Sequence, residues 1–298
     1  LADQLVELGR SSSDPTISAY GHRWGVIKGF DAADLACVEG NLDAMYFLAQ
    51  QERDLWHEWF VLTRRVALGV ARGRFDIAEA ALASSAELAE ILETPYVNHT
   101  QAGVEFLVSS LRGRPVPDRA RAVADTQLFV RMSLATGDDV ADTSIARGAL
   151  DVLHPRSLAG RLIAVLAAPL ALSSGDPELA RRTIEALSGL EDGFAVVPPG
   201  VALLGSVRQR LGYCHLALEQ PETALAEFSA AATSEREVGA LTCAARSEWL
   251  AGHALRLLGD DVAAEERQAA ARATAVGLGL ANLSDAPLPG SEIAETLD

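Results

Sequence analysis

The densest cluster of potential chemistry in the chain is Asp138-Asp139-Val140-Ala141-Asp142. Aspartates in a DDxxD spacing offer hard oxygen ligands that can hold magnesium ions against a diphosphate and neutralise its charge. Such a site needs a second acid-rich segment facing the first. The nearest one, Asp260-Asp261-Val-Ala-Ala264, lacks the third acid. Holding a further diphosphate would also call for lysines, and Lys28 is the only lysine present. The simpler expectation is that Gly137-Asp138-Asp139 is a turn whose acids cap the next helix. Metal binding by Asp138, Asp139 and Asp142 stands as the alternative.

The other reactive side chains do not assemble into a motif. His57-Glu58 is not the start of HExxH, because position 61 is Val. Cys214 and His215 are neighbours, so on a helix their side chains diverge by about 100° and cannot form one local site. His22, His99, His154 and His253 are expected in packing or surface roles. Gly205-Ser206 lacks the spacing of a Gly-x-Ser-x-Gly nucleophile elbow. The sequence therefore predicts a non-catalytic chain with no cofactor of its own.

Recognition has better material than catalysis. Aromatic residues make up only 5% of the chain, yet Tyr20, Trp24, Tyr46, Trp56 and Trp59 crowd its first fifth, with Arg23, Arg64 and Arg65 among them. Trp, Tyr and Arg are the side chains that most often carry binding energy, and stacked helical arrays bind partners on a concave surface. One reading is a groove for a peptide, a domain or a small effector. The other is the ordinary core of atypical first repeats, since large apolar side chains are usually inside.

The elements that would position these residues are helical. The apolar 49% of the 298 residues is mostly Ala, Leu and Val, and Ala and Leu are strong helix formers. A turn followed five residues later by alanine recurs as Gly73…Ala78, Gly175…Ala180, Glu219…Ala224 and Gly259…Ala264. A small side chain there lets paired helices approach to 8–10 Å. Pro177 and Pro221 sit early in their helices, where a missing N–H costs nothing. From 175 to 219 is 44 residues and from 219 to 259 is 40, within the range of helix-pair arrays. Gly40 and Gly137 are expected as weaker turns of the same series. Phe75, Ala78, Leu82, Ala89 and Leu92 form one apolar stripe, and the continuous apolar run from Leu162 to Leu172 suits a buried helix. No strand-like alternation of any length is apparent. The fold expected is all-α, a tetratricopeptide-like superhelix (solenoid) of about a dozen antiparallel helices over residues 17–281. Residues 1–16 are expected as a linker or capping segment and 282–298 as a flexible tail. Asp192 to Gly200, with Pro198-Pro199, is expected to break the array.

The formal net charge of −16 argues against a face that grips nucleic acid, which needs clustered Lys or Arg. The longest apolar run is too short to span a bilayer. Three scattered cysteines, Cys37, Cys214 and Cys243, fit a reducing cytosol. The chain opens at Leu1 and reads as a piece of a longer polypeptide.

Three stretches carry a resemblance to a known family: Ala67-Leu-Gly-Val-Ala-Arg-Gly-Arg-Phe-Asp-Ile-Ala-Glu-Ala80, Leu190-Glu-Asp-Gly-Phe-Ala195, and the segment from Gly212-Tyr-Cys-His-Leu-Ala-Leu218 through Ala224-Leu-Ala-Glu-Phe228 to Glu237-Val-Gly-Ala240. They resemble the C-terminal helical-repeat region of large actinobacterial ATPase regulators, the large LuxR-type activators and the cyclase–ATPase fusions. The resemblance implies a cytoplasmic sensor and relay segment. Its partners would be its own ATPase and output domains and a protein or small-molecule effector, with no direct nucleic-acid contact. The family's P-loop has no counterpart, because Ile27 precedes Lys28 and Gly29 follows it. The DDxxD segment, with Arg147-Gly148 after it, is similar to the motif of trans-prenyltransferases and class I terpene synthases. That similarity implies a magnesium-dependent isoprenoid enzyme as the competing function, and a plain assembly scaffold is a third.

Overall fold

In the computed structural model the described residues are 1–115, 117–118, 143–154, 157–281 and 283. Among them the chain is all-α apart from one short hairpin. Thirteen helices run in chain order: α1 (Ala2–Ser12), α2 (Pro15–Asp31), α3 (Leu35–Glu52), α4 (Leu55–Ala71), α5 (Phe75–Leu92), α6 (Pro95–Leu111), α7 (Thr143–Val152), α8 (Leu158–Ser174), α9 (Pro177–Leu187), α10 (Val207–Ala217), α11 (Pro221–Glu237), α12 (Leu241–Leu257) and α13 (Asp261–Leu278). Between α9 and α10 lie β1 (Phe194–Val197) and β2 (Ala202–Ser206), paired into a two-stranded sheet. These strands correct the expectation of no strand. At four and five residues they are too short for a period-2 pattern to stand out.

The chain divides into two compact units. One comprises Leu1–Val108 with Val196–Leu203, and the other Ser109–Ala195 with Leu204–Asp298. In the first, α1 to α4 each pack on the next helix in the chain. In the second, α7 to α13 also pack in sequence, with α8 touching both α9 and α10.

The turns explain this order. Residues in the left-handed region close the helices at Ser13, Ala33, Arg53, Gly73, Glu93 and Gly113, and again at Glu219, Gly239, Gly259 and Gly279. Within each series the spacing is 20 residues. Except at Glu93, the residue after each of these turns donates its N–H back across it to the last helical turn. Examples are Asp34 to the Gly29 carbonyl (2.8 Å), Arg74 to Gly69 (2.7 Å) and Asp260 to Leu255 (3.1 Å). This is the Schellman arrangement, which satisfies carbonyls that a helix end leaves without partners. Asp14, Asp34, Asp54, Asp176 and Asp260 then cap the following helix through their carboxylates.

The four turn-and-alanine motifs behave as the sequence predicts. Gly73, Gly175, Glu219 and Gly259 all have positive φ, and Ala78, Ala180, Ala224 and Ala264 are fully buried. At Gly69 the reason for a small residue is direct, because an added Cβ would meet the Ala78 Cβ and backbone nitrogen at 3.1 Å. Gly40 is not a turn. It lies inside α3, and the turn belongs to Ala33, which carries no glycine signal. Gly137 lies outside the described residues.

Two helices are enclosed along most of their length: α4 from Trp59 to Ala71 apart from the half-buried Arg65, and α12 from Thr242 to Ala254 apart from the half-buried Glu248. The apolar run in α8 is largely buried as well, from Ile163 to Leu172 with Pro169 half-buried. In the second unit Ala164, Val165, Leu187, Ala195, Val207 and Leu211 form one apolar cluster. Residues 2–12, at the front of the predicted linker or capping segment, form a helix that packs on α2. Of the predicted tail, only Leu283 is described. No helix among the described residues is long and apolar enough to cross a membrane.

Candidate functional site

The aromatic and arginine residues singled out in the sequence converge on helices of the first unit. α2 carries Tyr20, Arg23 and Trp24, α3 carries Tyr46, and α4 carries Trp56, Trp59, Arg64 and Arg65. Trp56 is the hub. Its ring lies 5.1 Å from the His57 ring, 5.8 Å from Phe60 and 6.3 Å from Trp59. The Arg23 guanidinium sits 4.9 Å from the Trp56 centroid and 5.3 Å from that of Phe60. Arg64 reaches the same Phe60 ring at 3.9 Å and lies 5.9 Å from Trp59. Cation–π contacts of this kind are worth about 0.5–2 kcal/mol each, the larger value where water is excluded.

Within this group the residues differ in depth. Trp59 is fully buried and its indole N–H donates to Gln101 Oε1 at 3.4 Å, so it belongs to the interior wall. Tyr20 and Trp24 are 44% and 48% exposed, and Tyr96, which packs edge-on against Trp59, is 39% exposed. The cluster thus runs from core to solvent. Tyr46 and Arg65 form a pair of their own, with the guanidinium 4.5 Å from the ring centroid and 2.8 Å from Asp43.

Arg64 is buried completely. Its Nε and Nη2 donate to the Pro199 carbonyl at 3.3 Å, Nη2 to the Tyr96 hydroxyl at 3.1 Å, and Nη1 to Thr63 Oγ1 at 2.7 Å. Burial pushes its pKa down to about 10, which leaves it charged at neutral pH. Tyr96 opposes the shift and the nearby Arg23 charge adds to it. Arg65, Arg72, Arg182, Arg208 and Arg267 each face a carboxylate. Among the described residues no acidic side chain pairs with Arg23 or Arg64, and Arg23 Nε is buried with no hydrogen-bond partner. His57 is 5% exposed. Its Nδ1 lies 2.5 Å from Asp54 Oδ2, while its Nε2 is buried without a partner. Burial would raise the Asp54 carboxyl, but bonds from the His57 backbone and ring outweigh this and hold it below its ordinary range.

Sequence reasoning missed Phe60, His57, Tyr96 and the Pro199 carbonyl as members of this cluster. Pro199 lies 135 residues from Arg64, a distance no local pattern spans.

A second polar cluster, in the other unit, was also missed. Glu235 on α11 is fully buried and accepts from the Ser206 N–H and the Ser247 hydroxyl, both at 2.7 Å. Gln209 donates to the same hydroxyl at 2.7 Å. Burial pushes Glu235 up to about 7, against the pull of these bonds and of Arg210 and Arg246. The cluster ties the end of β2 to α11 and α12. Burial also raises the thiols of Cys214 and Cys243, the latter to about 12, so neither is a thiolate at neutral pH.

Asp138, Asp139 and Asp142 lie outside the described residues. Arg147 pairs with Asp176 at 3.1 Å, Asp260 caps α13, and Asp261 lies exposed in the first turn of α13. Among the described residues no group of three His, Cys, Asp or Glu side chains could hold a metal ion. No protein-family model matches the chain, and no curated protein matches it significantly.

Proposed function

We propose that this chain is a non-catalytic binding and relay segment, a tetratricopeptide-like helical array belonging to a larger cytoplasmic regulator, which takes an effector at the aromatic and arginine cluster of α2, α4 and α6. One observation carries this reading: two arginines without acidic partners share an aromatic wall whose outer members, Tyr20 and Tyr96, are open to solvent, with the half-exposed Trp24 one helical turn from Tyr20. A cluster serving only as core would be closed and electrically balanced, because an unpaired buried charge is costly. Sequential packing of helices within each unit supports the array, in which a helix pair leans on its neighbour. The roughly 40-residue helix pair is longer than the roughly 34-residue tetratricopeptide unit. Attachment to ATPase and output modules rests on the resemblance to large actinobacterial regulators. Relay through small shifts between helices would require two states whose balance the effector changes.

The test is a thermal-shift and tryptophan-fluorescence screen of small metabolites against the wild type and a Tyr20→Ala/Trp24→Ala variant. Both replaced side chains are half exposed, so the variant is expected to melt close to the wild type. A compound that stabilises the wild type and loses its effect in the variant supports the reading. Absence of any such compound, or hits indifferent to the variant, goes against it.

A further inference from the structure

We infer that the ligand of this cluster carries an oxyanion, a carboxylate or a phosphate, held by Arg23 beside the Trp56 ring, with the fixed charge of Arg64 on the same Phe60 ring behind it. This rests on the binding role proposed above and names its ligand class. The net charge of the chain is −16, with 41 acidic residues against 25 basic ones, so carboxylates for pairing are plentiful. Even so, two arginines that lean on one ring are both left without one.

The polar atoms around Trp56 are also unfinished. Buried polar groups nearly always have a hydrogen-bond partner, and exceptions call for a cause. Here two such exceptions, Arg23 Nε and His57 Nε2, occur on neighbours of a single indole. With Nδ1 engaged by Asp54, Nε2 is the imidazole nitrogen left to a ligand. Arg64 is fixed by Pro199, Tyr96 and Thr63, so its charge is held in place before anything binds. Arg23 suits the direct contact, because a guanidinium's fork of N–H donors matches carboxylate and phosphate oxygens and its Nε has no partner. The half-exposed Tyr20 ring, 5.5 Å from His57, gives an apolar rim against which a flat organic body can lie.

The probes are inorganic phosphate, benzoate and its neutral counterpart benzamide, each titrated into the full chain at constant ionic strength set with NaCl. Tryptophan emission and melting temperature are the readouts. Phosphate or benzoate is expected to give a saturable change that persists with EDTA, with benzoate binding at least fivefold more tightly than benzamide. Arg23→Gln, at a half-buried position, is expected to weaken that binding at least fivefold while the circular dichroism spectrum is kept. Arg64→Lys keeps the charge but loses the bonds that fix it on Pro199, Tyr96 and Thr63, and is expected to bind less tightly; should it fail to fold, Arg23→Gln decides alone. Two results overturn the inference: no saturable response to either anion, or a response equal for benzamide and unchanged in Arg23→Gln. A benzamide response that disappears in the Tyr20→Ala/Trp24→Ala variant would overturn the anion class while leaving the binding role standing.

Discussion

At the scale of single residues, depth of burial decides what each substitution will do. Trp59 is enclosed and hydrogen-bonded, so Trp59→Ala is expected to cost roughly 3–5 kcal/mol of stability in urea unfolding. Trp24→Ala, at a position 48% exposed, should stay within about 0.5 kcal/mol of the wild type. Equal losses at the two positions would mean that the cluster is uniform core. Glu235 makes a sharper case. Its carboxyl is raised in the folded state to about 7 from an ordinary 4.5, so the fold holds the protonated form more tightly than the unfolded chain does. The stability it contributes is full below about pH 4.5 and is lost as pH rises through 7. Linkage puts the loss on the order of 3 kcal/mol. Glu235→Gln mimics the neutral acid and should gain on the wild type between pH 4.5 and 7.5; a constant difference across that range would refute it. Glu235 was not within reach of the sequence: four residues before the turns the chain carries Gly9, Gly29, Ala49, Gly69 and Ala89 but also His215 and Leu255, so an acid four before Gly239 breaks no pattern.

At the scale of elements, the turns were only partly legible. Glycine marks Gly73, Gly175 and Gly259, and their alanines five residues on are buried as the pattern predicts. Ser13, Ala33, Arg53 and Glu93 take the same left-handed conformation without a glycine, so the regular spacing through the first unit leaves little glycine signal, whereas Gly40 lies inside α3. Such residues store strain, since a left-handed conformation costs an ordinary residue about 1–2 kcal/mol. Glu219→Gly, at an exposed turn with φ 57°, is expected to raise stability by up to about 1 kcal/mol, and Gly259→Ala, with φ 83°, to lower it by about 1–2 kcal/mol. Calorimetric melting checks both signs, and the reverse order would contradict the turn geometry. The hairpin was legible only as an interruption, because the prolines at 198 and 199 show where helix stops but not what replaces it.

At the scale of the whole molecule, fold class could be read from composition and apolar spacing, whereas the binding cluster could be read only as a crowd of aromatics. What fixes Arg64 within it, Tyr96 and the carbonyl of Pro199, comes from chain far away. The magnesium-dependent alternative makes an opposite forecast. If the chain only binds and relays, Mg²⁺ with pyrophosphate should give no stabilisation that vanishes in Asp138→Asn/Asp142→Asn; such a loss would favour the isoprenoid enzyme. Hydrogen exchange decides where an effector sits. With benzoate or a screening hit bound at saturation, added protection is expected in α2, in the first half of α4 and in α6, with α11 to α13 unchanged. Protection confined to α11–α13, or absent throughout, would show that the aromatic and arginine cluster is not the binding site.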